Sequence, residues 1–137
     1  ELLIQKEEKR RLYQIIDEEG EEGFKAIENR VNASIDTENT VIATGGSVVY
    51  CSEAMEHLKS IGKVVYLSLS LEYLEKRLGN LKKRGVLLKE GQTLKSLYEE
   101  RVPLYEKYAD IVVDEEGKDL EASLQALLET LQTGVIK

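Results

Sequence analysis

Lys25 and Glu28 stand three residues apart, so on a helix they lie one turn from each other as cation and carboxylate. As a plain surface pair they would contribute about 0.2–0.5 kcal/mol. Gly45 and Gly46 follow the short apolar run Val41-Ile42-Ala43 through Thr44. They can form a simple turn. If the run is a strand of a parallel sheet, they instead lie at its carboxyl end, where such sheets bind ligands and where glycine lets backbone amides approach closely. Arg101 precedes Pro103 in a stretch rich in Glu99, Glu100 and Glu106, which by itself reads as a solvated arginine. Arg84 belongs to a basic, glycine-bearing segment with Lys82, Lys83 and Lys89, and Arg77 ends an amphipathic stretch. A local pocket of Arg and Lys can hold a small anion even on an acidic protein.

The protein is acidic, with a formal net charge of −7 over 137 residues. That balance argues against broad nucleic-acid binding, in which a basic face supplies most of the affinity. Cys51 is the only cysteine and His57 the only histidine, so one chain builds neither a disulfide framework nor a zinc site. His57 lies among polar helix neighbours with no partner to activate it, and Cys51 reads as a small hydrophobe. A reduced, cytoplasmic compartment is the simple expectation, with no membrane partner, since no apolar run is long enough to cross a bilayer. Glu1-Leu2-Leu3-Ile4 enters a helical pattern directly, without an initiator methionine.

Periodicity predicts one helix over 2–16, broken by Gly20, and a second from about Glu21 to Ile35. Val41-Ile42-Ala43 reads as a buried strand, and Ser52 as the cap of a helix through Ser60. A strand over 64–69 leads to a helix capped by Ser70 and running to about Leu78. Residues 79–91 form no clear element. Thr93 opens a long helix to about Tyr108, with Tyr98, Tyr105 and Tyr108 as packing residues. Ile111-Val112-Val113 is a third strand. The closing helix, 118 to about 132, places Leu120, Leu124, Leu127, Leu128 and Leu131 on an inner face. Alternating strands and helices predict an α/β fold with a parallel sheet, although three strands are few for six helices.

Three stretches resemble the shikimate kinases in order and spacing: Gly20-Glu21-Glu22-Gly23-Phe24-Lys25-Ala26-Ile27-Glu28, Val41-Ile42-Ala43-Thr44-Gly45-Gly46, and Arg101-Val102-Pro103-Leu104-Tyr105. Arg84-Gly85-Val86-Leu87-Leu88 is similar to the family's lid motif, and the resemblance covers essentially the whole chain. It implies a P-loop kinase fold of the nucleoside-monophosphate-kinase type, as a single domain over 1–137 with a lid at about 79–92. It also implies ATP and Mg²⁺ as cofactors, shikimate as substrate, and a place in aromatic amino acid biosynthesis. The family's first strand and its loop G-x-x-x-x-G-K-[ST] do not occur in these residues, nor does its second strand, which ends in Asp-x-Asp. The expectation is that the native protein carries them ahead of Glu1, and that residues 1–137 alone are inactive.

The resemblance assigns the individual residues. Glu1 falls on the second aspartate of Asp-x-Asp, which holds substrate hydroxyls. Lys25 and Arg101 would bind the substrate carboxylate, with Glu28 orienting Lys25. Gly45 and Gly46 would line the substrate, and Arg84 would close over ATP as the catalytic cation. Arg77 would lie beside adenine, with the loop from Asp114 to Asp119 as the opposite wall. Four positions depart from the family pattern: Glu1 for Asp, Lys25 for Arg, Ser47 for Gly and Gly85 for Pro. Lys lacks the two-pronged fork of Arg, so its hold on a carboxylate is less directional. Two alternatives therefore stand beside shikimate kinase. One is a related kinase for another small hydroxylated acid, and the other is a non-catalytic module that binds substrate.

Overall fold

The computed structural model describes residues 1–79 and 90–133. Its elements are α1 (Leu2–Glu8), α2 (Leu12–Ala33), a 3-10 turn (Gly46–Tyr50), α3 (Ser52–Ile61), β1 (Val65–Ser68), α4 (Leu71–Leu78), α5 (Leu94–Tyr108), β2 (Ile111–Asp114) and α6 (Leu120–Thr133). They fall into two compact units, Glu1–Lys63 and Val64–Lys137.

In the first unit the helix expected over 2–16 is broken at its middle. Lys9 adopts a left-handed conformation (φ 53°, ψ 32°) and returns its N–H to the Gln5 carbonyl. Two glutamines then restart the chain as α2. Gln5 Oε1 accepts the Leu12 N–H at 2.9 Å, and Gln14 Oε1 accepts the Arg11 N–H at 2.8 Å. These are donors that a helix start leaves open. Apolar periodicity runs in phase through this corner, which is why it does not betray it. Gly20 interrupts helical geometry as expected (φ 70°, ψ −177°), but the stretches on either side join as one kinked α2. Ile4, Ile15, Phe24 and Val31 form the core there, with Leu12, Ile16 and Ile27 packed on it. Burial of each such side chain contributes about 1.5–3 kcal/mol. Across the corner, Glu8 pairs with Arg10 and Arg30, and Arg10 also reaches Glu18 and Glu19. Hydrogen bonds from Arg10 and then Arg30 hold the Glu8 carboxyl below the usual range.

The cap expected at Ser52 lies elsewhere. Cys51 is the N-cap residue of α3 and makes no side-chain cap bond. The open N–H of Ala54 instead donates to Asn29 Oδ1 of α2 at 3.0 Å, and Asn29 Nδ2 donates to Glu53 at 3.3 Å. His57 is also anchored, since its Nε2 donates to the Ile35 carbonyl at 2.6 Å.

The second unit is built on β1 and β2, paired in parallel with Val65 opposite Ile111 and Ser68 opposite Asp114. Ile111 and Val113 are buried and alternate with exposed Val112 and Asp114, so β2 is the expected third strand with one face covered. Ser70 caps α4, accepting the Tyr73 N–H at 3.2 Å, and Thr93 caps α5, accepting the Ser96 N–H at 3.1 Å. Both agree with the sequence reading. Tyr108 is buried, Tyr105 stacks on Tyr66 with centroids 5.2 Å apart, and Tyr98 donates to the Leu69 carbonyl at 2.9 Å.

Two further expectations are not met. Val41-Ile42-Ala43 forms no ladder: the sheet among the described residues has two strands, and Val41 is 96% exposed. A strand exists only where a neighbour answers its backbone groups. The leucines of α6 are not core either, for none of its residues is buried and Leu120 is 88% exposed. Among the described residues α6 packs on β2, and a two-stranded sheet offers it only a narrow face.

Candidate active site

Glu28 is the unusual residue of the first unit, a carboxylate only 3% exposed. Burying such a charge is costly unless hydrogen bonds compensate it. Ser47, on the 3-10 turn, provides one: its Oγ donates to Glu28 Oε1 at 2.8 Å and lies 3.1 Å from Oε2. Half-buried Lys25 is one turn earlier on α2. Its Nζ is 3.6 Å from Glu22 Oε1 and 4.8 Å from the centre of the Tyr50 ring. Cys51 Sγ donates to the Lys25 carbonyl at 3.7 Å. Burial pushes the Cys51 thiol up to about 11, the Glu28 charge adds to the rise, and Lys25 opposes it.

Gly45 opens this cluster. A Cβ placed there would lie 3.7 Å from Glu1 Oε1 and 3.7 Å from Glu28 Oε2. Its backbone (φ −74°, ψ 157°) is open to any residue, and at 3.7 Å a Cβ would be in ordinary contact with both carboxylates. Gly46 begins the turn that carries Ser47, and buried Val48 and Val49 anchor that turn. The structure thus gathers Glu1, Lys25, Gly45 and Gly46 into one unit. Carboxylate oxygens beside Gly45 can accept hydrogen bonds from hydroxyls, and the nearby lysine can pair with an anion.

The second unit holds the other predicted residues. Arg77, exposed on α4, lies over the Tyr73 ring at 5.2 Å and donates to the Lys118 carbonyl at 3.0 Å. That carbonyl belongs to the loop from Asp114 to Asp119, the segment expected to stand opposite Arg77. The same loop is tied to the carboxyl end of β1, because the Ser70 N–H and Oγ–H both donate to Glu116, at 3.0 and 2.8 Å. Arg101 is half-buried on α5. Arg84, Gly85 and most of the expected lid lie outside the described residues.

Sequence reasoning missed the burial of Glu28 and its bond to Ser47; the signal was a serine where glycine was expected. It also assigned nothing to an open cleft of about 410 Å³ lined by Gln5, Lys6, Lys9, Arg10, Arg11 and Gln14. Among the described residues, no three His, Cys, Asp or Glu side chains are placed to hold a metal ion, and no helix is long and apolar enough to cross a membrane.

The parallel pair β1–β2, joined and flanked by helices, is that of an α/β fold of the P-loop kinase class. Solved structures agree. A shikimate kinase from Acinetobacter baumannii, in complex with shikimate, aligns with a TM-score of 0.77 at 30% identity, over 98% of this chain and 76% of that one. A shikimate kinase from Aquifex aeolicus aligns with a TM-score of 0.75 at 32% identity, over 96% of this chain and 79% of that one.

The family model for shikimate kinase matches residues 1–132, and the chain belongs to the shikimate kinase family. Its relatives include a shikimate kinase of Dictyoglomus turgidum, 36% identical over 94% of this chain and 78% of that protein. Another, from Francisella tularensis subsp. novicida, is 41% identical over 75% of this chain. The match spans 61% of the Francisella protein's length.

Proposed function

We propose that this chain belongs to an ATP-dependent kinase that phosphorylates a hydroxyl of shikimate, yielding shikimate 3-phosphate and ADP. The observation that carries the reading is the pair of carboxylates, Glu1 and Glu28, that meet beside Gly45. In this reading Glu1 accepts a hydrogen bond from the attacking hydroxyl and so aims its oxygen. Lys25 and Arg101 pair with the substrate carboxylate, while Gly45 and Gly46 let the ring lie against the backbone. Arg77 and the 114–119 loop border the adenine, and Arg84 brings positive charge to the phosphates from a lid at 79–92. Residues 1–137 act as one domain, in the cytoplasm, on small molecules.

ATP is the phosphoryl donor, with Mg²⁺ as its usual counter-ion. Residues 1–137 contain no G-x-x-x-x-G-K-[ST] loop, and the described residues offer no metal cluster. These residues do not by themselves fit a bound Mg²⁺.

The test is calorimetric titration of shikimate into the chain, its Lys25→Met variant and its Arg101→Met variant. Each substitution should weaken binding about tenfold or more, the scale of a lost charged hydrogen bond. Affinity unchanged in both would overturn the assignment. One observation favours a second reading, a different hydroxylated acid: the Ser47 side chain stands in this cluster where the family pattern has glycine. Titrating a set of hydroxylated acids separates the two, and tighter binding of another acid would select the second.

A further inference from the structure

We propose that Ser47 is a positioning residue that sets substrate choice: its hydroxyl fixes the buried Glu28 carboxylate beside Gly45 and so shapes the hydroxyl-reading side of the pocket. The substrate part of this inference rests on the function proposed above. The positioning part rests on geometry alone.

Ser47 and Glu28 are 19 residues apart in sequence and meet across two elements, the 3-10 turn and α2. The turn is anchored by buried Val48 and Val49, so Ser47 stays in place while the longer glutamate side chain is the part to be held. Glu28 Oε2, 3.1 Å from the serine hydroxyl, is also one of the two carboxylate oxygens 3.7 Å from where a Gly45 Cβ would be. Fixing Glu28 therefore fixes one wall of the gap over Gly45. Without the Ser47 hydroxyl, a carboxylate that is 3% exposed loses a donor in a site where water replaces it poorly. It then swings into the gap or takes up a proton. Either change alters which hydroxyl patterns the gap accepts.

A reporter for this coupling is built into the cluster. Cys51 is buried, bonded to the Lys25 carbonyl, and feels the Glu28 charge. Its ionisation can be followed through the pH dependence of alkylation, with no need of turnover. The experiment compares the chain with Ser47→Ala, Ser47→Thr, Glu28→Gln and the double variant Ser47→Ala/Glu28→Gln.

Ser47→Ala should lower the thiol pKa by roughly half a unit, and Glu28→Gln should lower it further. Adding Ser47→Ala to Glu28→Gln should then change nothing, and Ser47→Thr, which keeps a hydroxyl, should restore the starting value. Shikimate affinity should fall about fivefold in Ser47→Ala, with the ranking of hydroxylated acids changed rather than all of them weakened equally. If Ser47→Ala does not fold, Ser47→Gly removes the same hydroxyl and is read in the same way.

A thiol pKa unmoved by loss of the hydroxyl sinks the proposal. So does a shift of equal size with and without Glu28. A chain that binds no shikimate while the thiol coupling persists overturns the shikimate reading and leaves Ser47 as the residue that positions Glu28.

Discussion

Cys51 shows how strongly a few ångströms of surroundings govern one side chain. With its thiol pushed up to about 11 from an ordinary 9.0, only roughly 0.1% is thiolate at pH 8, against about 9% for the unshifted group. Alkylation of the native chain at pH 8 should therefore be about a hundredfold slower than after unfolding, and should climb until pH 11. The folded pKa is raised above the unfolded one, so stability is intact below pH 9 and declines from there to about pH 11. Denaturant midpoints across that range check the sign, and a Cys51→Ala variant should lose the part of the decline that begins at pH 9, leaving that of Tyr66, whose burial also raises its pKa. The sequence shows Cys51 only as a lone cysteine. Likewise, it places Lys25 and Glu28 one turn apart but does not tell that one is half-buried and the other almost wholly buried. Residue types follow from a motif, whereas burial and hydrogen-bond partners depend on segments far off in the chain, as the Ser47 bond to Glu28 does.

Elements were readable where their signals are local. Ser70 and Thr93 each accept an N–H three residues on, so a short window of sequence contains the whole interaction. The start of α3 was misread because its donor is answered from α2, by Asn29. Asn29→Ala should accordingly cost about 1 kcal/mol in chemical denaturation, as other lost caps do, while Ser52→Ala should leave stability nearly unchanged. Gly20 was legible as a break, and its geometry explains why. At φ 70° and ψ −177° it occupies a region open essentially to glycine alone, although a Cβ there would meet nothing within 4 Å. Gly20→Ala should destabilise the first unit by about 1–3 kcal/mol through backbone strain. A midpoint unchanged by that substitution would mean that α2 straightens at no cost. The misjudged leucines of α6 share a cause with Asn29: helical spacing tells which residues share a face, and not what covers it.

At the scale of the whole molecule, recognition and phosphoryl transfer place different demands on the chain. Recognition needs a few polar groups around a gap, and Glu1, Lys25, Gly45 and Glu28 are gathered in one unit. Transfer needs far more stabilisation, since a single arginine at the transferring group can contribute 10³–10⁵ in rate in enzymes of this chemistry. Within residues 1–137 no phosphate loop occurs to cradle the phosphates. Purified residues 1–137 should thus release heat on titration with shikimate, yet give no shikimate-dependent ADP in a coupled assay with ATP and Mg²⁺. Supplying a G-x-x-x-x-G-K-[ST] strand and loop from a family member, fused ahead of Glu1, should restore ADP release without greatly changing shikimate affinity. Turnover by residues 1–137 alone would show that another set of cations, Arg84 foremost among them, handles the phosphates unaided. Activity restored only together with a large gain in shikimate affinity would show that the two demands are not separable in this fold.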